Sequence, residues 1–185
     1  LAQTALLALD VAGDVNIGAS TATCINTKGF VTLPAGDVAV GGNLLVGDTH
    51  AGSAGRLDMF GTRLRVTSNV LIEATGIITN HVLGRPASLN ILSADSNSLA
   101  IAAGGRLHVS FEADPVSTRG YYWGLRMTGN QVDFFNDLNT AGLLTWSLAG
   151  LSAANQARFG IHYRPSENVT LLGLPPPPGA FLLVR

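Results

Sequence analysis

The sequence predicts an all-β protein: a solenoid-like stack of short strands with a small α+β cap and an extended proline-rich tail. Three observations carry that expectation. The 185 residues include 22 glycines and only 12% charged residues, against 46% hydrophobic, a composition poor in helix-favouring Glu and Lys and rich in turn formers. Short apolar alternations such as Leu57, Met59 and Leu64, Val66 recur at intervals tighter than the about 8–12 residues usual in sandwiches. The chain also resembles itself. AGDVNIG (12–18) matches AGDVAVG (35–41), and AGSAGRLDMF (51–60) matches IAAGGRLHVSF (101–111). Units that cannot bury an apolar face alone must stack on one another. The competing arrangement of the same strands is a β-sandwich of jelly-roll type.

The pattern divides the chain into a repeat body over 1–113, a cap region over 114–174 and a tail over 175–185. In the body, strands are expected at 9–11, 14–17, 30–33, 37–40, 43–46, 56–60, 63–66, 69–73, 76–79, 88–92, 98–102 and 106–111. Glycines between them supply corners with φ > 0. Asn43, Asn69 and Asn90 are candidates to satisfy corner backbone groups or to form a ladder. From Asp114 the texture changes, with Tyr121, Tyr122 and Trp123 in succession. The run 130–142 then reads as a helix near 131–141. Asn130 is a candidate N-cap, Val132, Phe135 and Leu138 share a face, Asp133 complements the dipole and Gly142 supplies the stop. Strands follow at 143–148, 158–163 and 168–172.

Charge and cysteine content narrow the function. Net charge is −1, with 10 Arg and the single Lys28; the absence of a basic stripe speaks against a nucleic-acid partner. So few charges weaken repulsion between copies and favour self-association. Cys24 is the sole cysteine and cannot form an intrachain disulfide. No apolar run reaches the length of a membrane-spanning helix.

Chemistry is sparse. Glu112 and Asp114 lie two apart on one strand and so share a face, but Asp114 precedes Pro115 and reads as a corner residue. His50, His81, His108 and His162 show no metal-ligand or zincin spacing, and the glycine-aspartate runs lack a calcium-roll register. The chain is therefore expected not to be an enzyme and to need no cofactor. Tyr121 and Trp123 alternate to one face and form a candidate glycan-binding platform. The other reading packs the aromatic trio as a small core beneath the helix.

The runs GDVAVGGNLLVGD (36–48), GRLDMFGTRLRV (55–66), GGRLHVSFEAD (104–114) and YYWGLR (121–126) resemble secreted bacterial proteins of the PEP-CTERM type, whose bodies are autotransporter-like stacks of Gly/Val-rich strands. LPPPPGAFLLVR (174–185) resembles the start of their sorting tail, with Pro176 and Pro177 at the acidic position. The resemblance implies secretion and an extracellular, non-catalytic role.

The tail supplies the expected mode of assembly. Pro175, Pro176, Pro177 and Pro178 favour polyproline II, a stiff strut of roughly 12 Å. The strut holds Phe181, Leu182, Leu183 and Val184 where a neighbouring sheet edge could accept them as a strand. A head-to-tail contact that does not close makes a filament. The expected function is thus a structural subunit of an extracellular fibre, sheath or surface layer whose partners are copies of itself. The alternative is a polysaccharide-binding adhesin module.

Overall fold

Where Val, Ile and Leu alternate with small or polar residues, the chain extends, and where glycine or asparagine intervenes, it turns. The computed structural model describes residues 7–19, 26–84, 87–93, 95, 97–116 and 121–176. Its strands are β1 (Leu7–Val11), β2 (Val15–Ile17), β3 (Lys28–Leu33), β4 (Gly36–Val40), β5 (Leu44–Val46), β6 (Ala54–Phe60), β7 (Thr62–Val66), β8 (Val70–Ile72), β9 (Gly76–Leu83), β10 (Ser88–Ile91), β11 (Leu99–Ile101), β12 (Arg106–Ala113), β13 (Tyr122–Thr128), β14 (Leu144–Ser147), β15 (Gly160–Arg164) and β16 (Val169–Leu174). Two helices, α1 (Val132–Thr140) and α2 (Ala153–Gln156), complete the element list.

Three sheets form the walls of a β-solenoid. Sheet I runs β1-β4-β7-β10-β13-β16-β15, sheet II β2-β5-β8-β11 and sheet III β3-β6-β9-β12-β14. Each set β4–β5–β6, β7–β8–β9 and β10–β11–β12 makes one complete coil. Every pairing is parallel except those of β16 with β13 and β15. That pairing settles the alternative of a jelly-roll sandwich, which is built from antiparallel neighbours, in favour of the solenoid.

Like residues stack through the interior. Leu9, Val38, Leu64, Leu89 and Leu125 share one register across sheet I. Val15, Leu44, Val70 and Leu99 do so across sheet II, and Val31, Leu57, Ile78, Leu107 and Leu144 across sheet III. From the second coil onward these columns are buried, because each coil covers the apolar face of the next.

Corners are built from two devices. Between sheets I and II, Asp14, Asn43 and Asn69 form a ladder with steps of 29 and 26 residues. The backbone N–H and side-chain amide of Asn43 donate to Asp14 Oδ1 at 2.6 and 3.1 Å, and those of Asn69 donate to Asn43 Oδ1 at 3.2 and 3.1 Å. Asn90 does not join it. It lies within β10, where its amide donates to Ser88 Oγ at 2.8 Å. The second device is a glycine column entering sheet III. Gly29 pairs with Gly55 and Gly55 with Gly76, and Gly105 precedes Arg106, the partner of Ile77. A Cβ on Gly55 would collide with the backbone of Gly47 and Ile17, and one on Gly76 with the carbonyl of Val46.

The region after Asp114 continues the solenoid before closing it. β13 adds parallel to β10 and β14 adds parallel to β12. α1 then packs Phe135 and Leu138 into the core, and the antiparallel β16–β15 pair ends sheet I. Gln131 is the N-cap residue and its side chain makes no capping bond; instead its own N–H donates to Thr170 Oγ1. Asn130, the expected cap, only accepts a long 3.4 Å contact from Val132 N–H. Gly142, at φ 69°, ends the helix as the sequence predicts.

Tyr122 ties this last coil together. Its hydroxyl accepts from Gly84 N–H at 2.7 Å and lies 3.1 Å from Ala113 O and 3.2 Å from Val82 O. Burial, reinforced by the Asp114 charge, pushes the hydroxyl up to about 12. Because folding favours the protonated phenol, this contribution is complete below the ordinary tyrosine value near 10 and is lost as pH rises towards 12. Tyr122→Phe is expected to cost about 1–3 kcal/mol by stranding the Gly84 N–H. It should also shrink the alkaline fall in stability measured by urea titration at pH 9 to 12. An unchanged alkaline limb would dismiss Tyr122 as its source.

Candidate functional site

The outer face of sheet I carries a depression that spans several strands. Outward residues follow from the alternation T-R-L-R-V of β7: Leu64 and Val66 are buried, so Arg63 and Arg65 stand outside. Parallel pairing then sets Asp37, Arg63 and Ser88 in one outward row, and Asp10, Ala39, Arg65, Asn90 and Arg126 in the next. A groove of about 570 Å³ lies over these rows, bounded by Asp37 at one side and by Leu92, Trp123 and Arg126 at the other. A second depression of about 280 Å³, lined by Ala8, Asp10, Ala39 and other residues of β1 and β4, shares Asp37 and Arg65 with it. Together they cross five strands, β1, β4, β7, β10 and β13, along the solenoid axis. At about 4.8 Å per strand the path is roughly 19 Å long.

Trp123 reaches this face through a β-bulge. The register of β13 against β16 shifts between Trp123 and Leu125, so Gly124 and Leu125 both turn inward. Tyr122 goes to the core and Trp123 to the groove. A Cβ on Gly124 would collide with Val109; glycine is what lets the bulge form. Trp123 Nε1 is buried and makes no hydrogen bond among the described residues.

The electrostatics of the groove are unbalanced. Arg63 Nη2 bonds Asp37 Oδ2 at 2.6 Å, which cancels both charges. Arg65 and Arg126 form no ion pair among the described residues. Ser88 and Asn90, bonded to each other and buried at 2% and 9% exposure, form the polar floor between the cations.

Of the expected site residues, Tyr121 and Trp123 do lie together, with ring centroids 6.4 Å apart and planes at 58°. Trp123 lines the groove, whereas Tyr121 receives the Arg164 guanidinium at 4.2 Å from its ring centre. The expectation that the whole trio packs under the helix is corrected: only Tyr122 is buried, because Tyr121 and Trp123 alternate to the opposite side of the strand. Pro175 and Pro176 follow β16 half-buried, and the Arg158 guanidinium donates to the Pro175 carbonyl. Pro177, Pro178, Phe181, Leu182, Leu183 and Val184 lie outside the described residues.

The carboxylates weighed for catalysis are engaged in structure. Asp114 Oδ1 accepts from the Asn155 amide at 2.7 Å and the Ser152 N–H at 3.0 Å, binding the α2 turn to the end of β12. The Asn155 bond, then that of Ser152, hold its carboxyl below the usual range. Glu112 pairs with His81 Nδ1, whose ring stacks on Phe60 with centroids 4.1 Å apart. Glu112 and Asp114 therefore point to different partners. His108 Nδ1 meets Thr145 Oγ1 at 2.9 Å, and burial, with the nearby His81, lowers its pKa.

Arg63, Arg65, Arg126 and Ser88 were not among the sequence candidates, and Asn90 was expected only as a corner or ladder residue. The R-L-R alternation was a usable signal for the first two, but placing Arg126 beside them requires knowing which strands stack. No protein-family model, curated protein or solved structure matches the chain, so its function is read from the geometry of this face.

Proposed function

We propose that the chain is an extracellular binding module that holds an extended glycan along the outer face of sheet I. The observation that carries this reading is the groove over β4, β7, β10 and β13, adjoined by a second depression over β1 and β4. It pairs the ring of Trp123, an apolar body able to stack on a sugar, with the guanidinium groups of Arg65 and Arg126 over a floor of Ser88 and Asn90. A shallow path along the axis suits a polymer rather than an enclosed small molecule. The carboxylate among the residues lining the larger depression, Asp37, is committed to Arg63, so that face supports binding better than acid–base chemistry. Trp123→Ala is expected to abolish glycan-array signal while leaving the melting temperature within a few degrees. Retention of the full signal by that variant would remove the groove from the function.

A second reading, a structural subunit of a fibre, sheath or surface layer, has one observation in its favour. Among the described residues the outer edges of β1, β2 and β3 are unpaired. Leu9 and Phe30 on that first coil are 44% and 68% exposed. Open parallel edges with apolar side chains favour pairing with another strand. Under this reading the strand comes from the 175–185 segment of a neighbour, with Phe181 to Val184 as the plug. A chain lacking 175–185 should then stay monomeric at concentrations where the full chain polymerises in light scattering. Equal polymerisation of the two would end the strand-donation idea.

A further inference from the structure

The glycan-binding reading leaves open what kind of sugar the groove selects. Resting on that reading, we infer that the ligand is an anionic polysaccharide and that Arg65 and Arg126 are the anchors for its carboxylates.

The argument begins with register. Arg65, Asn90 and Arg126 occupy one row on β7, β10 and β13. The two arginines are thus separated by two strand spacings, roughly 10 Å. Both side chains leave the same face of a sheet buried on its other side, and both border the same groove. Neither has a carboxylate partner among the described residues, while their neighbour Arg63 is neutralised by Asp37. In a protein with only 12% charged residues, two unpaired guanidinium groups facing one channel form a local positive field on a chain of net charge −1. An uncharged ligand would gain nothing from that field.

Arginine rather than lysine at both positions points the same way. A guanidinium presents a rigid fork of donors matched to the two oxygens of a carboxylate, and the resulting pair is geometrically specific as well as strong. Two such forks set apart along the channel suit a polymer that presents acidic groups at intervals along its backbone. Between them the buried Asn90 and Ser88 form a polar floor, and Trp123 beside Arg126 offers an apolar surface for the sugar ring itself. Asp10, in the same row at the β1 end, places a carboxylate four strands from Arg126. The positive charge of the channel therefore sits on its β7 to β13 side. A nucleic acid would find one stacking ring in the groove, Trp123, a poor match to the repeated aromatic platforms that single strands need.

The test is calorimetric titration of the full chain with polygalacturonate, its methyl ester, a neutral β-glucan and an oligothymidylate of comparable charge. Polygalacturonate should bind, with affinity falling as salt rises, and the methyl ester should bind at least tenfold more weakly. Arg65→Ala with Arg126→Ala should lose at least tenfold affinity for polygalacturonate. The paired Lys substitutions, which keep charge but not the fork, should recover only part of it. Melting curves of the variants should overlay the wild type, because both side chains sit on the solvent side of the sheet. Equal binding of the ester or of the neutral glucan, with no effect of the arginine variants, would overturn the anionic assignment while leaving a glycan module in place. Absence of binding to all three glycans would overturn both readings. Tighter binding of the oligothymidylate would replace the polysaccharide with a nucleic acid.

Discussion

Gly55→Val is expected to leave the chain unable to form its solenoid under conditions where the native sequence is stable. The position looks tolerant, since Gly55 lies in a strand with ordinary extended backbone and no positive φ. Its constraint is external. A Cβ there would overlap the Gly47 nitrogen in its own coil and the Ile17 carbonyl of the coil before. Both obstacles are backbone, so no rotamer change relieves them. Relief requires two coils to separate, and separation breaks the parallel ladder on either side. Overpacking alone costs about 1–3 kcal/mol; backbone displacement adds to it, against a total stability of only about 5–15 kcal/mol. Urea denaturation followed by circular dichroism gives the measurement. Gly13→Ala is the control, because a Cβ at Gly13 meets nothing, and it should stay within about 0.5 kcal/mol of the native chain. A Gly55→Val protein with a native-like midpoint would mean that the coils are not in contact at this column.

Phe135→Ala is expected to cost about 3–5 kcal/mol. Phe135 is completely buried and is the largest side chain that α1 contributes to the core. It sits where the solenoid runs out of coils. Every interior coil is covered by the next one, but the last is covered by a helix, so one ring does the work of a missing coil. The loss should be concentrated at that end. Hydrogen exchange should accelerate in β13, β14 and β16 before β4 to β9, and the denaturant midpoint should fall. Substitutions at Asp133 or Asn136 on the exposed side of the same helix should move stability by no more than about 0.5 kcal/mol. A Phe135→Ala protein losing less than about 1 kcal/mol would show that α1 is not what closes the core.

Much of the fold was legible. All twelve expected body strands have counterparts, because period-two alternation such as L-D-M in β6 or R-L-R in β7 is imposed directly by burial of one face. The coil period was harder. AGDVNIG and AGDVAVG match as strings, yet Val15 belongs to sheet II and Val38 to sheet I, so the two are not stacked. Corners select the same small residues at every turn of the coil, which makes different corners resemble one another. The two GRL triplets were a truer guide. Arg56 and Arg106 share a register two coils apart with Ile77 between them. What could not be read was the bulge in β13. It depends on Gly124 facing Val109 across the interior, a contact between residues far apart in the chain, and without it strict alternation puts Trp123 and Arg126 on opposite faces of the sheet. Arg126 was missed for the same reason: its neighbours Asn90 and Arg65 become neighbours only once β13 pairs with β10 and β10 with β7.

Uniform parallel stacking makes the molecule a ruler. β1, β4, β7, β10 and β13 each advance the outer face of sheet I by one strand width, and nothing in that progression depends on loop length, which varies freely at the corners. The distance between two side chains on this face is therefore a whole number of steps, whatever the intervening sequence contains. The separation of Arg65 from Arg126 is two steps and that of Asp10 from Arg126 is four. A ligand with its own regular repeat would be compared with the protein mark by mark, and inserting or deleting one coil between β7 and β13 would shift the scale by a single division without disturbing the marks on either side.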